Sequence, residues 1–179
     1  IPIAEKNGDI IRIGEIVLEE CCKFLSKHVL SNMSLGIRSI QINISVAQCM
    51  QQNLKEAILP ILQKYHIPTS MIVLELTEST AINAPALMEH HMKELGDAGI
   101  SFAMDDYGTG NANCSYLMRF PFREVKLDRD MTLAYFNNET ARIVIGNEIR
   151  TMQKLGIPMV VEGVEKLEQS EEMERLGVE

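Results

Sequence analysis

A helix, a short turn built on Gly or Pro, and an apolar strand follow one another three times in this chain, and that order leaves few folds open. The spacing predicts a helix over Leu54–Tyr65 that passes through His66-Ile67-Pro68 into a strand over Met71–Leu76. A helix over Pro85–Leu95 leads through Gly99-Ile100 to a strand over Ser101–Met104. A helix over Ala141–Leu155 leads through Gly156-Ile157-Pro158 to a strand over Met159–Val161. Residues near a 3.6 period mark the helical faces: Leu87, His91 and Leu95 in one, Val144, Ile145, Ile149 and Met152 in another. Pro85 suits a first helical turn, and Gly99 and Gly156 suit helix ends. Pro60 should kink or shorten its helix. Two further strands fit Ser39–Ser45 and Glu124–Leu127, and an N-terminal helix fits Ile13–Leu30. Alternating helices and apolar strands point to a parallel α/β architecture.

The polar residues then choose between the two common parallel folds. Asn43, Glu75, Asp105, Lys126 and Glu162 each stand at or near the C-terminal end of a strand. In a parallel barrel those ends meet on one face, where active sites form. A doubly wound sheet gathers ligands only at a switch point. Five strands each giving a polar residue favour a TIM-like (β/α) barrel. Gly108-Thr109-Gly110 lacks the remaining spacing of a dinucleotide fingerprint.

The densest chemistry lies in Phe102-Ala103-Met104-Asp105-Asp106-Tyr107-Gly108-Thr109-Gly110. Adjacent strand residues point to opposite faces, so a regular strand cannot aim both carboxylates at one point. A break in the pleat would let Asp105 and Asp106 converge, and converging carboxylates repel unless a cation lies between them. The bland alternative is a capped turn, which Asp and Gly also favour. Glu75 lies between Leu74 and Leu76, where an ionised group is costly unless paired or metal-bound. Glu78 reads as a cap for the loop or helix expected to follow. Lys126 needs a partner, either Asp128 or a site carboxylate, unless it orients a water or phosphate. Asn43 reads alternatively as a satisfied strand end, and Glu165 as a solvated loop residue. Hard oxygen donors without histidine suit Mg²⁺ or Mn²⁺, and two such ions can clamp both oxygens of a phosphodiester in displacement.

A net charge of −8 argues against an electrostatic grip on a nucleic-acid polymer. No apolar run is long enough to span a bilayer, so no membrane contact by this domain is expected. Cys21, Cys22, Cys49 and Cys114 include no C-x-x-C pair and read as reduced core thiols of a cytoplasmic domain. His28, His66, His90 and His91 read as structural or surface residues. The start at Ile1, with no Met and no signal-peptide pattern, suggests an excised piece.

At this point the residues resemble a family. Ile1-Pro2-Ile3-Ala4-Glu5, Asn43-Ile44-Ser45, Glu75-Leu76-Thr77-Glu78, Asp105-Asp106-Tyr107-Gly108-Thr109-Gly110, Lys126-Leu127-Asp128-Arg129 and Glu162-Gly163-Val164-Glu165 stand in the order of an EAL domain. That is the cyclic di-GMP phosphodiesterase module of bacterial signalling proteins, and the match runs across nearly the whole chain. The resemblance implies hydrolysis of cyclic di-GMP to linear pGpG with two Mg²⁺ or Mn²⁺ ions. It makes Asn43, Glu75, Asp105, Asp106 and Glu162 metal ligands, with Asp106 at the second metal. Lys126 would hold or polarise the attacking water. Glu162 and Glu165 would join Lys126 as catalytic residues, and Glu78 would anchor the glycine loop, coupling ligand, metal and homodimer contacts. It implies residence in the bacterial cytoplasm, within a larger membrane-anchored or multidomain signalling protein.

Several departures bear on activity. The Glu-Ala-Leu motif is absent, its position falling upstream of Ile1, and the chain stops before the family's last strand, so residues 1–179 are expected to form an incomplete EAL-type domain. Asn111-Ala112-Asn113-Cys114 replaces a Tyr-Ser-Ser-Leu-like run, and Val161 replaces the usual Ala before Glu162. The alternative to the enzyme is an inactive EAL-type module that binds cyclic di-GMP or a partner protein. A structural barrel fragment without a ligand is the third reading.

Overall fold

The structure, a computed structural model, describes residues 1–30, 36–77, 85–109 and 115–178, with the side chains of 115 and 116 left aside. Expectations that fall on Glu78, Gly110, residues 111–113 and Cys114 lie outside the described residues. The chain divides into two compact units, Ile1–Phe102 and Ala103–Glu179.

In the first unit, α1 (Pro2–Asn7) and α2 (Asp9–Phe24) meet at Gly8, whose left-handed φ of 83° ends one helix and opens the next. α2 turns Ile10, Leu18 and Cys22 inward and passes into a π-helical segment, Leu25–Leu30, which buries Leu25 and Val29. The single helix expected from Ile13 thus starts earlier and changes its winding after Phe24. Two strands, β1 (Ile40–Asn43) and β2 (Ile72–Thr77), pair in parallel, with Ile40 opposite Ile72 and Asn43 opposite Glu75. α3 (Val46–Cys49) is opened by a reciprocal cap: the Ser45 hydroxyl accepts from Gln48 N at 3.2 Å, and Ser45 N donates to Gln48 Oε1 at 3.1 Å.

α4 (Leu54–Lys64) runs through Pro60 instead of stopping at it. Leu54, Ile58 and Leu62 are buried on one face while Pro60 and Glu56 are exposed. The carbonyl that proline cannot bond is therefore left on the wet side, and the apolar face holds the helix together. Lys64 Nζ and the Tyr65 hydroxyl both donate to Glu19 Oε1, at 2.6 and 2.7 Å, tying α4 to α2 and holding the Glu19 carboxyl down to about 2.

α5 (Pro85–Asp97) buries Met88, His91, Met92 and Leu95, so its core face is turned from Leu87, which is only half-buried. His91 is fully buried, whereas its neighbour His90 is exposed and lies 3.3 Å from Glu94. Cys22 and Cys49 are buried, and burial pushes their thiols up to about 11 and about 12, which keeps them protonated and inert.

The second unit takes up within β3 (Ser101–Tyr107), which pairs in parallel with β4 (Glu124–Leu127), itself parallel to β5 (Met159–Val161). α6 (Ser115–Arg119) precedes β4. Asp128 ends β4 and caps α7 (Arg129–Asn137), its carboxylate accepting from Asp130 N at 2.8 Å. α8 (Glu139–Leu155) is closed by Gly156 at φ 70°, as expected, and starts two residues before the expected Ala141, capped by Asn138. Its core face is Ile145, Ile149 and Met152; Val144 is exposed. α9 (Leu167–Arg175) closes the described chain. The ladders β1–β2, β3–β4 and β4–β5 are parallel, and helices alternate with strands, as in a (β/α) barrel. Among the described residues no helix is long and apolar enough to cross a membrane.

Candidate functional site

In the first unit the site candidates are set by register. Asn43 ends β1 directly opposite Glu75 of β2, and the ladder continues one step further as Ile44 N donates to Glu75 O at 2.9 Å. Glu75 is 5% exposed inside a strand whose other residues from Ile72 to Leu76 are also buried. A carboxylate held there needs a partner of opposite charge or several donors.

In the second unit the pleat breaks where the sequence requires it. Met104 pairs with Val125 and Tyr107 pairs with Leu127, so Asp105 and Asp106 together face the single residue Lys126. This two-against-one count is a β-bulge, rare in parallel ladders and common beside active sites. Asp106 carries the bend, with a left-handed φ of 54°. Its carbonyl accepts from the Thr109 hydroxyl at 2.9 Å, which folds the start of the glycine loop back onto the strand. The strand continues through both aspartates to Tyr107 rather than ending at Met104.

Lys126 is the hub. Its Nζ lies 3.1 Å from Asp105 Oδ1 and 2.7 Å from Glu162 Oε1, and its side chain is only 15% exposed. Asp128, the other partner that the sequence offered, is used as the α7 cap. Glu162 follows β5 directly and is positioned by its backbone, whose N–H donates to Leu127 O at 3.2 Å.

The acids outnumber the cation. Asp105 and Glu162 share one ammonium, and the Asp106 carboxyl beside them is pushed up by burial, with further contributions from the charges of Asp105, Asp128 and Glu162. Asp105 Oδ1 is buried and makes no hydrogen bond in good geometry, although the Lys126 ammonium is near it. Surplus negative charge and an under-satisfied carboxylate oxygen fit a divalent cation with hard oxygen donors. The side chains as they stand do not yet form a cage: among the described residues no three His, Cys, Asp or Glu side chains are grouped to hold a metal ion. Lys126 fills the space between Asp105 and Glu162.

Glu165 is not drawn to Lys126. It is 63% exposed and paired with Arg129 of α7 at 3.1 Å. Between these two glutamates, Gly163 adopts φ 77°, and a Cβ there would clash with Arg129 Cγ. Gly163 and Arg129 stand in the matched stretches of the sequence but were given no role there. Gly163→Ala is expected to destabilise the protein by about 1–3 kcal/mol, from left-handed strain plus this clash, and to separate Arg129 from Glu165. Urea unfolding checks this, and an unchanged midpoint would contradict the packing.

The family description "EAL domain" matches residues 1–179. The bifunctional diguanylate cyclase/cyclic di-GMP phosphodiesterase MucR of Pseudomonas aeruginosa is 30% identical over 177 residues, 99% of this chain and 26% of that protein. The cyclic di-GMP phosphodiesterase RocR of the same organism is 34% identical over 139 residues, 78% of this chain and 36% of that protein. The chain thus spans 26% to 36% of the length of these curated relatives. Among solved structures, the PaMucR phosphodiesterase in its c-di-GMP complex superposes with a TM-score of 0.90 at 30% identity, covering 99% of this chain and 71% of that one. The Klebsiella pneumoniae BlrP1 manganese/c-di-GMP complex has a TM-score of 0.79 at 24% identity, covering 96% of this chain and 43% of that one, a likeness of fold. With the barrel strands, the bulged aspartate pair and the family match in agreement over its whole length, the chain belongs to the EAL domain family.

Proposed function

We propose that this chain is the catalytic module of a cyclic di-GMP-specific phosphodiesterase that yields linear pGpG with two Mg²⁺ or Mn²⁺ ions. The observation that carries the reading is the bulge: it sets two adjacent carboxylates against Lys126, whose ammonium sits between Asp105 and Glu162. Relatives named as cyclic di-GMP phosphodiesterases, and the similar PaMucR phosphodiesterase solved with c-di-GMP, support the substrate; the hard oxygen donors support the metal class. In this reading Asn43 and Glu75, with Asp105, Asp106 and Glu162, hold the metal ions. When bound, such ions neutralise developing charge on a phosphodiester and make water a better nucleophile at neutral pH. Lys126 places its ammonium between two carboxylates. It donates hydrogen bonds, orienting the attacking water and steadying Asp105 and Glu162. Attack forms a P–O bond to water and breaks one P–O3′ bond, releasing a 3′-hydroxyl and leaving a 5′-phosphate on a linear dinucleotide. Glu165 contributes charge at the rim through Arg129. Glu78 as anchor of the glycine loop, a homodimer built through that loop, and a place within a larger bacterial signalling protein complete the proposal.

The arrangement around Lys126 supports a second reading, a module that binds the dinucleotide or a protein partner without cleaving it, because the lysine occupies the space between two of the acids. Incubating the chain with cyclic di-GMP and Mn²⁺, beside an EDTA control, separates the two. Linear pGpG formed only with metal is the expected product by chromatography. Intact substrate together with ligand-induced stabilisation would establish the second reading.

A further inference from the structure

The bulge that presents the aspartates is fastened from outside the candidate site. Tyr107 is the residue at which β3 rejoins its ladder after the extra position. Its backbone carbonyl accepts from Asp128 N at 3.3 Å, and its side chain is 5% exposed. At the far end of that side chain the hydroxyl donates to Glu148 Oε2 at 3.0 Å, an acceptor 41 residues further on and fixed in the middle of α8. α8 is itself rigidly set, with Ile145, Ile149 and Met152 buried beside Glu148.

We propose that Tyr107 and Glu148 are positioning residues that lock the bulge in register and thereby hold Asp105 and Asp106 in the geometry that binds metal. The inference rests on the metal-binding reading above. The physical reason is the period of the strand: a slip of one residue moves a side chain to the opposite face. Between Met104 and Tyr107 the backbone has one residue more than β4 can match, so the extra residue could be taken up at Asp105, at Asp106 or beyond. The buried phenol ring holds Tyr107 to the core side, and the hydroxyl adds a directional contact that admits one placement of its ring. With Tyr107 fixed and Met104 buried behind it, the surplus residue can lie only at the two aspartates. An aromatic ring alone would bury the same area; only the hydroxyl reads the position of α8. The contact is therefore aimed at register rather than at bulk stability.

The test uses the full chain and Mn²⁺ itself as probe. Tyr107→Phe keeps the ring and removes the donor; Glu148→Ala removes the acceptor; Glu148→Gln keeps an acceptor oxygen. Calorimetric titration is expected to show Mn²⁺ binding about 10-fold or more weaker in Tyr107→Phe and in Glu148→Ala, the scale of losing an outer partner of a metal ligand. Glu148→Gln should restore most of the affinity, and the double variant Tyr107→Phe/Glu148→Ala should be no worse than either single one. Wild-type affinity in a folded Tyr107→Phe would overturn the proposal, and if that variant does not fold, Glu148→Ala carries the same test. Amide hydrogen exchange of Asp105–Tyr107, read without metal on the same samples, keeps the inference separate from the metal reading. Faster exchange in both single variants supports the lock whether or not the wild type takes up Mn²⁺, and unchanged protection overturns it.

Discussion

Replacing Lys126 by Ala is expected to lower metal-dependent turnover of cyclic di-GMP by about 10²–10³-fold, the scale for loss of one well-placed donor to developing charge. The ammonium bridges Asp105 and Glu162 at 3.1 and 2.7 Å, so it sits among the acids rather than at their margin. Because it adds a positive charge where the metals are proposed to lie, its removal should leave Mn²⁺ affinity unchanged or raise it. Dinucleotide affinity should change much less than rate. The separation of rate from binding is the diagnostic: kcat falls while the substrate dissociation constant, measured with Ca²⁺ in place of the active metal, holds. An equal loss in affinity would make Lys126 a binding residue instead.

Glu75→Gln is expected to abolish metal-dependent turnover. Gln is nearly isosteric, so the buried strand should tolerate it, and the change isolates charge from shape. The position is 5% exposed and stands in register with Asn43. Loss of a direct ligand should weaken Mn²⁺ binding by more than the about 10–100-fold that removal of an outer partner costs. Calorimetry and product chromatography on the folded variant check both parts. Turnover at the wild-type rate would remove Glu75 from the site.

Much of this was legible in the residues. The strand Met159–Val161 and the strand Glu124–Leu127 fall where apolar runs between Gly, Pro and charged residues put them. The break in the pleat at Asp105-Asp106 follows from two adjacent carboxylates at the end of an apolar run, and the register shows it. Other features needed the third dimension. The partner of Lys126 was open between Asp128 and a site carboxylate, since spacing along one strand says nothing about the neighbouring strand end. α7 was missed because Arg129–Asn137 buries only Thr132 and Tyr135 and gives a weak periodic signal. The helix through Pro60 shows tertiary packing overriding a local penalty of about 3 kcal/mol. Glu148 carries no local signal at all, because its significance depends on a hydroxyl 41 positions away.

The bulge also separates two kinds of information in one strand. Met104 and Tyr107 keep their buried faces on either side of it, and only one residue of Asp105-Asp106 is surplus to the ladder. Deleting either aspartate codon would restore a regular ladder, with the survivor opposite Lys126 and Met104 and Tyr107 still facing the same side. Such a gene product would keep its core and lose its chemistry. A change that shortens a protein by one residue ordinarily throws its strand out of phase; here it would bring the strand into phase, and catalytic silence would be the mark of a more regular fold.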